Sequence, residues 1–177
     1  MVLQALRNQK AMVQFLLEIK AELENLTNFE PQGGCNDPDF SYYFKLKCGN
    51  CGEVSQKETC VTLSEMVELP KGRGSAHLVQ KCKFCSREGS VLMIGGRGRP
   101  YTIEDSENQA FVPIMLFDVR GYEPVDFVFK DGWKAVSISG TKYNDINFLE
   151  GDFVEYDEKG QCPVGISEVK SNIVVTR

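Results

Sequence analysis

Two C-x-x-C pairs, Cys48-Gly49-Asn50-Cys51 and Cys82-Lys83-Phe84-Cys85, set four thiols in two short clusters separated by 30 residues. The fold must either bring those clusters together or leave two separate dithiols. Four thiolates suit a tetrahedral Zn²⁺ with Zn–S distances of about 2.3 Å. A two-residue spacer lets the backbone wrap one face of the ion, so that both sulfurs converge and the following N–H groups aim at the first sulfur. Gly52 fits the left-handed residue that such a turn often needs, and Ser86 fills the equivalent place less well. The intervening loop exceeds the roughly 15–20 residues of compact zinc ribbons. It leaves room for a hairpin between the knuckles at modest extra closure entropy. Two separated knuckles favour zinc over an iron–sulfur cluster, although iron also binds all-sulfur sites. The expected site is one Zn²⁺ on Cys48, Cys51, Cys82 and Cys85. A closed shell of protein ligands has no open position for water, so a structural staple is expected and hydrolytic chemistry is not.

A redox dithiol is the competing reading of either pair taken alone. Thioredoxin-type motifs open a helix whose N-terminus stabilises the thiolate. Neither Gly52-Glu53-Val54-Ser55 nor Ser86-Arg87-Glu88-Gly89 begins a helical stripe. The chain has seven cysteines, and an odd count leaves at least one outside any intramolecular disulfide scheme. Arg7, Asn8, Gln9 and Lys10 interrupt the start before a secretory apolar core can form. Arg7 and Lys10 without a nearby acid leave a mitochondrial address as an alternative, weakened by the lack of Ser and further Arg. A cytoplasmic, reducing compartment is the expectation, and there paired cysteines read as metal ligands before disulfides. Cys60, in the alternating run Thr59-Cys60-Val61-Thr62-Leu63, reads as a small buried hydrophobe. Cys35 after Gly33-Gly34 and Cys162 before Pro163 read as possible exposed thiols. His77, the only histidine, reads as an ordinary surface or core residue, with a supporting or alternative ligand role as the rival.

Patterning points to β structure. Leu17, Ile19, Ala21 and Leu23 alternate with Glu18, Lys20, Glu22 and Glu24, which is strand periodicity, although Phe15, Leu16, Ile19 and Leu23 also fit a helix stripe. Phe44 and Leu46 face away from Lys45 and Lys47. Met115, Phe117 and Val119 alternate with Leu116 and Asp118, and Val125, Phe127 and Phe129 with Asp126 and Val128. Turn clusters separate these runs at residues 31–34, 95–100, 130–132 and 159–160. Many short strands with Gly/Pro turns and no long helix after residue 25 indicate an all-β sandwich or barrel. Hydrophobic residues at 42% and charged residues at 25% of 177 exclude disorder and collagen-like architectures, and no apolar run reaches the length of a membrane span.

Charge is unevenly distributed. Residues 1–70 carry a net −4, residues 71–100 a net +6, and residues 101–177 a net −7, giving −5 overall. The basic segment either complements the chain's own acidic parts or docks an anion, whether phosphate, nucleic acid or an acidic partner. The overall balance argues against a generic nucleic-acid coat. Gly72-Arg73-Gly74-Ser75 and the stretch 95–99 match neither a P-loop nor a dinucleotide fingerprint, and read as loops. Glu104-Asp105-Ser106-Glu107 and Glu155-Tyr156-Asp157-Glu158 read as solvated turns. Phe44-Lys45-Leu46-Lys47-Cys48-Gly49 and Phe117-Asp118-Val119-Arg120-Gly121 share an outline, which suggests that the second half echoes the first without metal.

Several stretches together resemble the eukaryotic CXXC motif containing zinc binding proteins, a family long known only as a domain of unknown function. They are Leu23-Glu24-Asn25-Leu26-Thr27-Asn28, Lys47-Cys48-Gly49-Asn50-Cys51-Gly52-Glu53, Gly72-Arg73-Gly74-Ser75-Ala76, Val79-Gln80-Lys81-Cys82-Lys83, residues 120–127 and Tyr156-Asp157-Glu158-Lys159. The resemblance spans about Met12 to Val175. It implies an all-β protein of two similar β-sandwich-like or barrel-like halves, with zinc in the N-terminal half on the four cysteines named above. It also implies a soluble intracellular protein without an established catalytic activity. The expected division is an extension or leftover at 1–11, a zinc-binding half at 12–100 and a metal-free half at 101–177.

The expected function is a non-enzymatic, monomeric interaction module for a protein partner, off the membrane and held by structural zinc. No catalytic or cofactor-binding residue is identifiable. The rivals are a zinc- or copper-handling protein with an exchangeable site, and an RNA- or acidic-partner-binding module using residues 71–100.

Overall fold

The run from Leu17, which the sequence fits to either a strand or a helix, is a strand. In the computed structural model, which describes residues 12–72 and 74–176, β1 runs Val13–Glu24. Residues 1–11, expected to be an extension, and Arg73 of the basic segment lie outside the described residues. Phe15, Leu17, Ile19 and Ala21 are all buried, at i, i+2 spacing rather than the i, i+3/i+4 spacing of a helix stripe. Both edges of β1 are paired, to β9 (Val112–Arg120) and β14 (Cys162–Thr176).

The other strands are β2 (Leu26–Pro31), β3 (Tyr42–Cys48), β4 (Thr59–Val61), β5 (Val67–Glu68), β6 (Ser75–Ala76), β7 (Leu78–Lys81) and β8 (Glu88–Ile94). The later ones are β10 (Tyr122–Val128), β11 (Trp133–Ser137), β12 (Lys142–Ile146) and β13 (Phe153–Asp157). An antiparallel six-stranded sheet has the order β13-β14-β1-β9-β8-β7, and two three-stranded sheets have the orders β10-β3-β4 and β12-β11-β2. β5 and β6 form a short ladder. The all-β expectation holds. In each of the three larger sheets, strands from 12–100 pair with strands from 101–177. Among the described residues no helix is long and apolar enough to cross a membrane.

Two long strands turn corners at left-handed residues. Asn25 (φ 54°) ends β1 and hands the chain to β2 in another sheet, and Gly121 (φ 78°) does the same between β9 and β10. The apolar faces of all three larger sheets meet in one core. Phe44 and Phe117 stack edge-on at 5.2 Å, and Trp133 is ringed by Phe29, Phe40 and Phe129 at 5.0–5.3 Å. The alternation expected through Val125, Phe127 and Phe129 breaks at Asp126 (φ 54°), where the β3 pairing also slips. Pro124 therefore points inward ahead of Phe127. The run ending at Gly49 closes into a hairpin tip, whereas the run ending at Gly121 continues into β10.

Neither acidic cluster is a solvated turn. Residues 104–107 lie in α1 (Ile103–Glu107), capped by Thr102 and Asp105 in a reciprocal box. The Arg99 guanidinium binds Asp105 at 2.7 Å and holds its carboxyl down to about 2. Glu155 and Tyr156 sit on β13, and Asp157 is buried, accepting from the Ser139 and Thr141 hydroxyls at 2.5 and 2.7 Å. Asp157 thus ties the end of β13 to the turn after β11, whose Ser139 and Thr141 lie eighteen and sixteen residues earlier.

Candidate metal centre

Cys48 is the last residue of β3, where the inward alternation of Tyr42, Phe44 and Leu46 brings its side chain to the core face. The chain then doubles back, with Lys47 bridged to Val54. Cys82 follows β7, and residues 82–87 form the tip of the β7–β8 hairpin, whose last paired residues are Lys81 and Glu88. The two knuckles have the same backbone bonds. Gly52 N–H donates to the Cys48 carbonyl at 2.9 Å and Cys48 N–H to the Glu53 carbonyl at 2.8 Å. Ser86 N–H donates to the Cys82 carbonyl at 2.9 Å and Cys82 N–H to the Arg87 carbonyl at 2.8 Å.

Both turns need a left-handed residue, and both expected positions supply it, Gly52 at φ 78° and Ser86 at φ 65°. Nothing lies within 4 Å of where a Cβ on Gly52 would sit, so an alanine there would meet only the conformational penalty. That penalty is about 1–2 kcal/mol for an L-residue. Gly52→Ala should therefore lower the thermal midpoint, by roughly 2–4 °C per kcal/mol lost. Ser86→Gly should leave the midpoint unchanged or raise it. A scan of zinc-loaded protein checks both, and equal losses in the two variants would mean that the turns tolerate side chains alike.

The knuckles converge. Cys48 Sγ lies 3.6 Å from Cys85 Sγ and Cys51 Sγ 3.7 Å from Cys82 Sγ. All four sulfurs lie within 4.8 Å of one another. Sulfurs at the corners of a tetrahedron with Zn–S of about 2.3 Å stand about 3.8 Å apart, so the spacing fits a bound zinc ion. Charge gives the same answer. An Asn50 side-chain bond reaches across to Cys85 and, with the Arg87 N–H, holds that thiol down to about 6. Burial raises Cys48, but the Cys51 and Asn50 N–H groups outweigh it and the net shift is downward. The Glu53 N–H lowers Cys51, yet desolvation and the neighbouring thiols push it up to about 12. Four thiols this close cannot all ionise against one another, and a divalent cation removes that conflict. The four cysteines form a zinc-binding site in the N-terminal half of the chain.

Three residues that sequence spacing did not single out complete the centre. Asn50 lies inside the first pair, where only its side-chain bond to the other knuckle reveals a role. Tyr122 comes from the other half of the chain, opposite Cys48 in the β3–β10 register, and its hydroxyl donates to the Gln80 carbonyl at 3.3 Å. Burial first, then the four cysteines, push its phenol up to about 12. Gly89 has no room for a side chain, because a Cβ would collide with the Arg120 carbonyl and the Tyr122 ring.

The remaining candidates stand apart from the site. His77 Nδ1 accepts from the Met93 N–H at 2.9 Å and its ring also bonds the Leu63 backbone, so it pins β8 rather than supporting the sulfurs. Cys60 is exposed, not buried, because Thr59 and Val61 take the inner face of β4. Cys35 is buried, not an exposed thiol. Its loop is drawn inward, with the Tyr42 hydroxyl on its carbonyl and the sulfur against Gly98, and burial pushes its thiol up to about 12. Cys162 is half-buried at the start of β14.

Residues 16–174 match the model of the family described as CXXC motif containing zinc binding protein, eukaryotic. A human protein named CXXC motif containing zinc binding protein is 48% identical over 159 residues, covering 89% of this chain and 96% of its own. Among solved structures, the crystal structure of C1orf123 superposes with a TM-score of 0.82 at 46% identity, covering 92% of this chain and 99% of that one. A hypothetical protein from Plasmodium falciparum reaches a TM-score of 0.77 at 19% identity over 91% of this chain and 99% of that one, a likeness of fold alone.

Proposed function

The chain belongs to the eukaryotic family of CXXC motif containing zinc binding proteins, and on that premise we propose that its zinc is a structural staple and that the protein is a non-catalytic interaction module of the cytoplasm. The observation that carries this reading is the placement of four sulfurs on two hairpin tips from different sheets. β3 belongs to one three-stranded sheet and β7–β8 to the edge of the six-stranded sheet. A tie between such tips fixes the angle between sheets, and a shell of four thiolates has no vacancy for a reacting water. Burial of Cys48 and Cys82 supports a retained ion over an exchangeable one.

A second reading, an exchangeable site for zinc or copper handling, draws on Cys51, which is exposed. Elemental mass spectrometry of tag-free protein, repeated after brief exposure to a mild chelator with circular dichroism alongside, separates the two. One zinc per chain that resists removal until the share of β signal carried by the two knuckle hairpins is lost is the expected result. Metal that leaves with the β signal unchanged would instead establish a carrier.

A further inference from the structure

We propose that the groove beside the second knuckle docks an extended acidic segment of a partner protein, anchored by an apolar side chain. The inference rests on the interaction-module reading above and gives the partner's chemistry. A cavity of 440 Å³ runs between the 53–60 loop and the β7 edge with its following knuckle. That size falls in the range of about 300–1,000 Å³ typical of ligand pockets. Leu46 and Tyr122 line its depth, both buried, and Phe84 lies on its rim with 64% of its surface exposed. An exposed phenylalanine on a turn that carries two metal ligands offers an apolar side chain for a partner to cover.

Charge selects the occupant. Lys57 stands on one wall, Lys81 and Lys83 on the other, all three exposed. None of them makes an ion pair among the described residues, whereas Glu58 in the same lining is already held by Lys130 at 2.7 Å. Among the described residues, the groove lining thus sets three lysines without an ion pair against one carboxylate without one, Glu53. In the basic segment, Arg99 is neutralised by Asp105, whereas among the described residues no carboxylate of the acidic half pairs with the lysines of this rim. Backbone adds a second source of affinity. β7 ends the six-stranded sheet, so its outer edge can accept an added strand beside the groove. An extended peptide with carboxylates flanking one apolar residue satisfies lysines, edge and cavity together. RNA suits the surface less well, because Glu53 and Glu58 share the lining and the chain carries a net −5.

The test is selection of a random 12-residue peptide library on zinc-loaded, full-length protein, counter-selected on the Lys81→Glu/Lys83→Glu/Phe84→Ala variant. Enriched sequences should carry acidic residues around an apolar one. The consensus peptide, measured by fluorescence anisotropy, should weaken at least tenfold with that variant and with Lys57→Glu, which lies away from the metal ligands. Its charge-reversed version should bind at least tenfold more weakly. Basic or neutral consensus sequences, or no groove-dependent enrichment, would overturn the proposal. So would a 12-residue oligouridylate that binds more tightly than the consensus peptide, or a groove blocked by self-association in sedimentation velocity. Zinc content measured on every variant keeps the two readings apart. Retained, chelator-resistant zinc with no acidic-peptide binding removes the docking proposal and leaves the structural zinc intact.

Discussion

Cys82→Ser protein should lose its zinc and, with it, order in the β3–β4 and β7–β8 hairpins, while the β1–β9–β14 ladder persists. The magnitude follows from two scales. Structural zinc binds small domains with an apparent free energy of roughly 10–16 kcal/mol, and whole domains are stable by only about 5–15 kcal/mol. Removing one of four ligands therefore takes away a quantity comparable to the entire stability margin. The loss is local because of where the sulfurs sit. Both knuckles are hairpin tips, and β4 and β7 are edge strands with one neighbour each. β1 is flanked on both sides and buries Leu17 and Ile19 far from either tip in the ladder. Hydrogen exchange resolved by peptide should show residues 42–61 and 78–91 unprotected in the variant, with 15–20 and 114–119 still protected. Cys48→Ser should behave alike. A variant that remains fully protected without metal would end the structural role of the zinc.

Trp133→Ala should be the most damaging single change away from the metal, at about 3–5 kcal/mol, the usual range for deleting a buried large aromatic. Trp133 is fully buried and touches Phe29, Phe40, Phe129 and Phe148, with centroids 5.0–6.4 Å away. Those rings come from residues on both sides of position 100, so the cavity would open where the two parts of the chain meet. The indole Nε1 has no hydrogen-bond partner among the described residues. Trp133→Phe keeps an aromatic ring in place and removes that orphaned donor, whose burial costs about 1–3 kcal/mol. It should cost much less than the alanine change. Urea unfolding followed by far-ultraviolet circular dichroism measures both, since the substitution removes the only tryptophan. A loss below about 1 kcal/mol for Trp133→Ala, the size of an average mutation, would show that the aromatic cluster repacks freely. Zinc content should be unchanged in both variants.

The metal site was the most legible part of the sequence, because each knuckle is a local object. Two intervening residues and a left-handed turn after the second cysteine are enough to specify it, and the backbone bonds of residues 48–53 and 82–87 repeat that pattern. Strand alternation was legible in β1 and β3 for the same reason, since it too depends only on neighbours, but not in β9, which is covered on both faces, nor past Asp126 in β10. The single cysteines were not. Cys60 and Cys35 exchange their expected environments, because burial of a lone residue depends on which sheet face or loop covers it. Asp157 looked like part of a charged turn and is buried, its carboxylate satisfied by hydroxyls sixteen and eighteen residues earlier.

By itself the sequence determined an all-β chain, the identity of the four sulfur ligands and the knuckle geometry, each a matter of short-range backbone conformation and residue chemistry. Tertiary structure alone decided that β1 runs between two strands of the distant half, that Tyr122 and Asn50 tie the knuckles, and that three lysines border a groove beside the metal. Those outcomes follow from pairing across tens of residues, where complementary faces and shared burial choose among registers that no local pattern distinguishes.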